Sequence, residues 1–196
     1  MNLTNDAGKS YDVRFTFASL KSLHQEFKGE ADTNGKKPEI DDEEMFDRIA
    51  TGLAQRQPMV LLKTLYGGLA HMKVKPLFDN FFDDLSNVLL ANPDELYTQV
   101  VAELNASGFF NLQIKHWKTI MQDYVDVSKA GIDKIDENKP SDKAKQETKD
   151  KYEKENRKQY NRFQAMYLQS TGLLEGFEEL EKGTESGLSM PDQEQE

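Results

Sequence analysis

Few residues in this 196-residue chain are arranged for chemistry. Gly8-Lys9-Ser10 has the ending of a phosphate-binding loop, where a Gly-rich turn between strand and helix offers backbone N–H groups and a lysine offers charge. The first glycine of that motif would fall on Leu3, and the turn joins two strand-like runs, so it reads as a hairpin turn. The three histidines, His24, His71 and His116, are dispersed, and none has a second histidine one helical turn away to share a zinc ion. Asp79, Asp83 and Asp84 are the densest carboxylates on an apolar helix. Metal-assisted hydrolysis needs carboxylates from several elements converging on one cleft, whereas Asp79 and Asp83 lie opposite the apolar stripe and read as a solvated face. No G-x-G-x-x-G, H-E-x-x-H, G-x-S-x-G or EF-hand pattern occurs. Asn2-Leu3-Thr4 and Asn105-Ala106-Ser107 match the glycosylation sequon, which carries no weight without a secretory route. The absence of cysteine excludes a thiol nucleophile, a disulfide scaffold and Cys-ligated zinc, and it fits a reducing cytosol. The expectation is a protein that is not an enzyme, with no catalytic residue, no cofactor and no metal.

Composition narrows the partners. The chain carries 25 Lys+Arg against 35 Asp+Glu, a formal charge of −10. A dedicated nucleic-acid binder needs a basic face to displace counterions, so no nucleic-acid partner is expected. Hydrophobic residues make up 37% and charged residues 31%, which supports one compact core but not a core over the whole length. The N-terminal residues show no basic region followed by a long apolar run, so no secretory signal is read there. Purely apolar runs such as Met59–Leu62 are too short to span a bilayer, so no membrane partner is expected either.

The elements that must position these residues are mostly helices. Tyr11, Val13, Phe15 and Phe17 alternate with polar residues, the period of a half-buried strand. Leu3 belongs to a partner strand across the Asn5-Asp6-Ala7-Gly8 turn, and a hairpin of this size must dock on something to persist. Phe17, Leu20, Leu23 and Phe27 then recur at helical spacing, followed by a loop over Lys28–Glu39 with Gly29, Asn34-Gly35 and Pro38 as breakers. Asp41 is placed to cap a helix, with Glu44 for a capping box and Ile40 and Met45 for a hydrophobic staple. Phe46, Ile49, Ala50 and Leu53 mark its buried face. Pro58 starts a helix to about His71, and Gly67-Gly68 within it implies a close helix crossing or a kink. Pro76 opens another helix, in which Leu77, Phe78, Phe81, Phe82, Leu85, Val88 and Leu89 share one face. Asn92 is predicted to cap a fifth helix with Pro93 at its first position, and Gly108 to end it with Phe109 touching Leu104. A sixth carries Ile114, Trp117, Ile120, Met121, Tyr124 and Val125. The phenylalanines Phe78, Phe81, Phe82, Phe109 and Phe110 read as core before groove.

The character changes near Lys129. Residues 133–162 contain 10 basic and 8 acidic residues, a solvated helix predicted to begin after Pro140 with Ser141 as cap. Within it Tyr160, Phe163, Tyr167 and Leu174 fall on one face, with Tyr152 in line, and four large side chains on one stripe call for a partner. They are the candidate partner-binding residues. Residues 175–196 hold 8 acids and one lysine, and 183–196 read as disordered. The predicted fold is mainly α: a small N-terminal β-hairpin packed on a bundle of about five to six helices, with a long charged C-terminal helical extension. The domains are 1–128 for the helical domain with its hairpin, 129–182 for the charged extension, and 183–196 for an acidic tail.

The hairpin followed by Tyr11-Asp12-Val13-Arg14-Phe15-Thr16-Phe17-Ala18-Ser19-Leu20-Lys21-Ser22-Leu23 resembles tail assembly chaperones of long-tailed (siphovirus-type) bacteriophages and related prophages. Tyr66-Gly67-Gly68-Leu69-Ala70-His71 is similar to a recurring stretch of that family. So is Asp94 to Phe110, with its Leu-x-x-x-Val-Val-x-x-Leu run ending in Ser107-Gly108-Phe109-Phe110. The resemblance covers roughly residues 1–125. It implies a chaperone in the bacterial host cytoplasm, not expected in the mature virion, that binds the tape measure protein and keeps it soluble. It further implies recruitment of tail tube protein, in many members through a longer form made by translational frameshift, and it brings no catalytic residues. Self-association would add avidity along a long client. The alternative is another helical adaptor or regulator that binds a partner helix.

Overall fold

The computed structural model describes residues 1–28, 40–141 and 143–187. Among these, the chain forms a two-stranded antiparallel hairpin and seven helices. It divides into two compact units: Met1–Trp117 with Gly176–Glu196, and Lys118–Glu175. The loop expected over Lys28–Glu39 lies, apart from Lys28, outside the described residues; of the tail read as disordered over 183–196, residues 183–187 are instead helical and the rest lie outside the described residues.

In the first unit β1 (Asn2–Thr4) pairs with β2 (Ser10–Asp12), with Leu3 opposite Tyr11. The alternation places Leu3, Tyr11, Val13 and Phe15 inside. Phe17 does not follow them. It is the first residue of α1 (Phe17–Phe27) and is 74% exposed, because the change to helical period turns it off the strand face. The buried face of α1 is Ser19, Leu23 and Phe27, and the Ser19 hydroxyl donates to the Arg14 carbonyl at 2.8 Å.

The predicted cap of α2 (Asp42–Ala54) is present: the Asp41 carboxylate accepts from Glu44 N–H at 2.8 Å. Ile40 and Met45, the two staple residues, are both buried. Arg48 on α2 donates to the carbonyl of Phe27 at 2.9 Å, which satisfies an orphan acceptor at the end of α1.

The most buried helix is α3 (Pro58–Gly67), which touches α1, α2, α4 (Phe78–Ala91) and α5 (Pro93–Ala106). Its glycine pair explains why α1 can cross it. A Cβ on Gly67 would fall inside the side chain of Leu23, and one on Gly68 inside Val13. Gly68 also accepts at its carbonyl from Arg14 N–H at 3.0 Å, so the segment that follows β2 is bonded to the end of α3. The helix stops at Gly67, four residues before His71, and tight turns over 68–72 carry the chain away.

Both ends of α5 differ from expectation. Asn92 stands at the N-cap of α5, but its side chain makes no capping bond. Gly108 is not a left-handed C-terminal residue. Ser107 turns the chain in extended backbone, and Gly108 is the first residue of α6 (Gly108–Glu137), whose Asn111 N–H donates to the Ser107 carbonyl at 2.8 Å. α6 runs unbroken through Lys129, where the composition changes.

The second unit pairs the rest of α6 with most of α7 (Gln146–Gly187). α7 begins later than Ser141 because a turn, Ala144 N–H to the Ser141 carbonyl at 2.9 Å, intervenes. Ser128 and Ser170 are its buried polar residues, and the Tyr152 hydroxyl donates to the Ile135 carbonyl.

Candidate partner-binding surfaces

Each sequence-predicted partner residue lies in the second unit, and each is half-buried. Phe163 lays its ring over Gly131 of α6, where a Cβ would stand 2.6 Å from the ring. Tyr160 lines an open hollow with Ile135, Lys139, Tyr152 and Arg157. Tyr167 and Leu174 keep part of their surface in solvent.

The first unit exposes apolar residues of its own. Phe17 stacks on half-buried Phe109 with ring centroids 5.2 Å apart, and Leu112, three residues on, is 64% exposed. Behind this edge Phe46, Phe110 and Phe15 form the aromatic core, with Phe46 and Phe110 centroids 5.2 Å apart. Around the start of α4, Val74 and Leu77 are 82% and 72% exposed, and Phe82 is partly so. The seven-residue stripe predicted on α4 is therefore split. Phe81 and Leu85 are core, with Phe81 edge-on to Tyr11 at 5.1 Å, whereas Leu77 and Phe82 face solvent.

The carboxylates find structural work. Asp84 accepts from Lys9 at 2.6 Å, from Asn5 at 3.3 Å and from the Tyr11 hydroxyl. The Lys9 hydrogen bond first, then that of Tyr11, hold its carboxyl below the ordinary value. Asp84 is thus the dock the hairpin needed. Lys75 lies 3.4 Å over the Tyr66 ring and donates to Ser22 at 2.7 Å, and burial pushes its ammonium down while Glu26 opposes the shift. No cluster of three or more His or acidic residues is placed to hold a metal among the described residues. No helix among them is long and apolar enough to cross a membrane.

Sequence reasoning missed one surface, where the C-terminal part of α7 returns to the first unit. Phe46, Ile49 and Leu53 of α2, Leu104 of α5, and Ile114 and Trp117 of α6 form an apolar wall. Phe177 fills it with no exposed surface, its ring 5.3 Å from that of Trp117, leaving a cavity of about 10 Å³. Leu180, three residues on, is also buried. Gly176 sits where a Cβ would stand 2.6 Å from the Ala54 carbonyl oxygen. Polar contacts frame the seat. Arg56 donates to Asp94 at 3.0 Å and to Glu179 at 3.2 Å, and Asn105 donates to Glu181 at 3.2 Å. Arg56 holds φ at 51°, the left-handed region, to reach both acids from the α2–α3 corner. The available signal was Leu173, Phe177 and Leu180 at i, i+4 and i+7, masked by the surrounding glutamates.

Compared with known sequence families, the chain matches the family model of the phage tail assembly chaperone protein, TAC, over residues 5–118. No curated protein and no solved structure matches it at a significant level.

Proposed function

Since this chain belongs to the phage tail assembly chaperone family, we propose that it binds the tape measure protein of a long-tailed phage and keeps it soluble. In the same reading it helps recruit tail tube protein before the tube polymerises. The observation that carries this is the extent of the family match, residues 5–118, which spans nearly all of the first segment of unit one, Met1–Trp117.

The physical chemistry supports the role. A long helical client exposes apolar stripes that aggregate until the tube covers them, so its holder needs apolar contact surface within a soluble, charged surround. Phe17, Leu112, Val74 and Leu77 offer exposed apolar area on the first unit. The formal charge of −10 keeps a complex apart from its neighbours. We further assign the half-buried stripe Tyr160, Phe163, Tyr167 and Leu174 to contacts with a partner or a second copy. The site of action is the bacterial host cytoplasm, and the protein leaves before the tail is complete.

Co-expression with the tape measure protein of the same phage tests the reading. The soluble fraction of the client should rise several-fold and the two proteins should co-elute. A client as insoluble as when expressed alone sinks it.

A further inference from the structure

We propose that the wall filled by Phe177 is a helix-receiving groove, and that the C-terminal part of α7 is a built-in stand-in displaced by a helix of the tape measure client. The inference rests on the chaperone reading and adds the site and its regulation.

Four observations carry it. The whole wall, from Phe46 to Trp117, lies within the residues that match the family, 5–118, whereas the helix that fills it lies outside them. The occupant thus lies outside the matched region while its seat lies inside it. Second, that occupant is an amphipathic helix lying in an apolar groove, a recurrent mode of peptide recognition. Third, α7 is one unbroken helix from Gln146 to Gly187, and Gly172 and Gly176, each costing helix stability relative to alanine, stand just before the seat, where the helix can bend away from the wall. Fourth, the ion pair at the seat is weak: Arg56 and Glu179 are 37% and 67% exposed, and exposed ion pairs add little.

The seated segment also specifies the client. Gly176 calls for a small residue against the Ala54 carbonyl, Phe177 for an aromatic beside it, Glu179 for a carboxylate toward Arg56, and Leu180 for a large aliphatic residue. The partner is an amphipathic helix with the order small, aromatic, any, acidic, aliphatic. A tethered competitor lowers apparent affinity by the fraction of time it occupies the groove, which prevents the apolar wall from capturing wrong partners before the client arrives.

The test locks and unlocks the seat in the full chain. The chain has no cysteine, and a Cβ at Gly183 would stand 3.7 Å from the Thr98 Cβ, the spacing of a relaxed disulfide. Thr98→Cys with Gly183→Cys, oxidised, pins α7 on the wall, and reduction frees it. Gly176→Ala does the opposite: it favours the helix but drives a methyl into the Ala54 carbonyl. The probes are a labelled peptide copying residues 170–187 and the tape measure protein of the same phage. Both should bind the reduced chain, with affinity falling at least about 10-fold on oxidation and rising about 10-fold in Gly176→Ala. The emission of Trp117, the chain's one tryptophan, should change as Phe177 leaves. A tape measure protein that binds oxidised and reduced chains equally overturns the inference and leaves the chaperone reading intact. If it binds neither form, the chaperone reading fails and the tape measure protein falls as the client, and the peptide decides the groove alone: binding to the reduced chain only shows that the seat opens, and binding to neither form overturns the groove as well. Should Gly176→Ala unfold the first unit, the disulfide pair carries the test alone. Should the disulfide not form, a folded Gly176→Ala chain with no gain in affinity overturns the inference.

Discussion

Phe177 of α7 packs its ring 5.3 Å from that of Trp117 on α6 and is fully buried, so an acid-rich stretch of sequence supplies a core residue of the first unit. The indole N–H of Trp117 meanwhile donates to Asp47 on α2 at 3.2 Å, which fixes the ring's orientation. The aromatic pair joins residues far apart in the chain.

The crossing of α1 over α3 depends on Gly67. Gly67→Ala gains helix propensity of about 1 kcal/mol, but the added methyl collides with Leu23, which has no exposed surface and no room to move. Steric cost wins, and urea unfolding should show a net loss of about 1–3 kcal/mol. Leu23→Ala should cost less in the Gly67→Ala background than in the native chain, because the collision is relieved. Strictly additive losses would show that the crossing does not depend on this pair.

Acid should release the hairpin. Asp84 has a carboxyl held below its ordinary value by Lys9, then Tyr11, so the contribution of its docking is present above the unfolded-state value, about 3.9, and is lost as pH falls through the lower folded value. Asp84→Asn should remove this acid sensitivity. Amide exchange of Leu3 and Tyr11 measures it, and equal exchange in both chains from pH 6 to pH 3, roughly the range over which a free carboxyl titrates, would refute the assignment.

Tyr97 is buried, and its hydroxyl has no hydrogen-bond partner. Burial pushes its phenol up to about 12, with Arg56 pulling it down and Asp94 pushing it further up. The folded chain keeps this proton while the unfolded chain releases it near pH 10. Stability is therefore full below about pH 10 and falls as pH rises toward the folded value. Tyr97→Phe should be neutral or stabilising by up to about 1 kcal/mol, since it removes an unpaired polar group. An alkaline absorbance titration should show a late-titrating tyrosine that Tyr97→Phe removes, and an unchanged late phase in that variant would contradict the assignment.

Phe163→Ala with Tyr167→Ala separates partner contact from internal packing in the second unit. If the stripe serves a partner, co-elution with the tape measure protein should weaken at least about 5-fold, with the melting temperature of the first unit unchanged. A lowered melting temperature with intact assembly would assign the stripe to folding alone, in keeping with the Phe163 ring over Gly131.

Local periodicity determined much of this protein. The alternation at Tyr11, Val13 and Phe15 was enough to place a strand, which ends at Asp12 with Val13 and Phe15 buried beyond it, Asp41 with Glu44 to start α2, and Pro58 and Pro93 to start α3 and α5, because each is decided by backbone geometry within a few residues. The glycine pair after Tyr66 announced a close crossing, but not that Leu23 and Val13 would occupy it. The family resemblance, read over roughly residues 1–125, agrees with the family match over residues 5–118.

Only the tertiary structure decided which apolar residues found partners. Phe81 and Phe82 are adjacent and chemically identical, yet one is fully buried and the other partly exposed, because α3 and the hairpin cover only one side of α4. Asp84 became the hairpin's anchor through contacts with Asn5, Lys9 and Tyr11 that no local pattern encodes. Phe177 was hidden for the same reason. Its neighbours in sequence are glutamates, and what buries it is a wall built from α2, α5 and α6, so its burial is a property of long-range packing that a reading of adjacent residues does not contain.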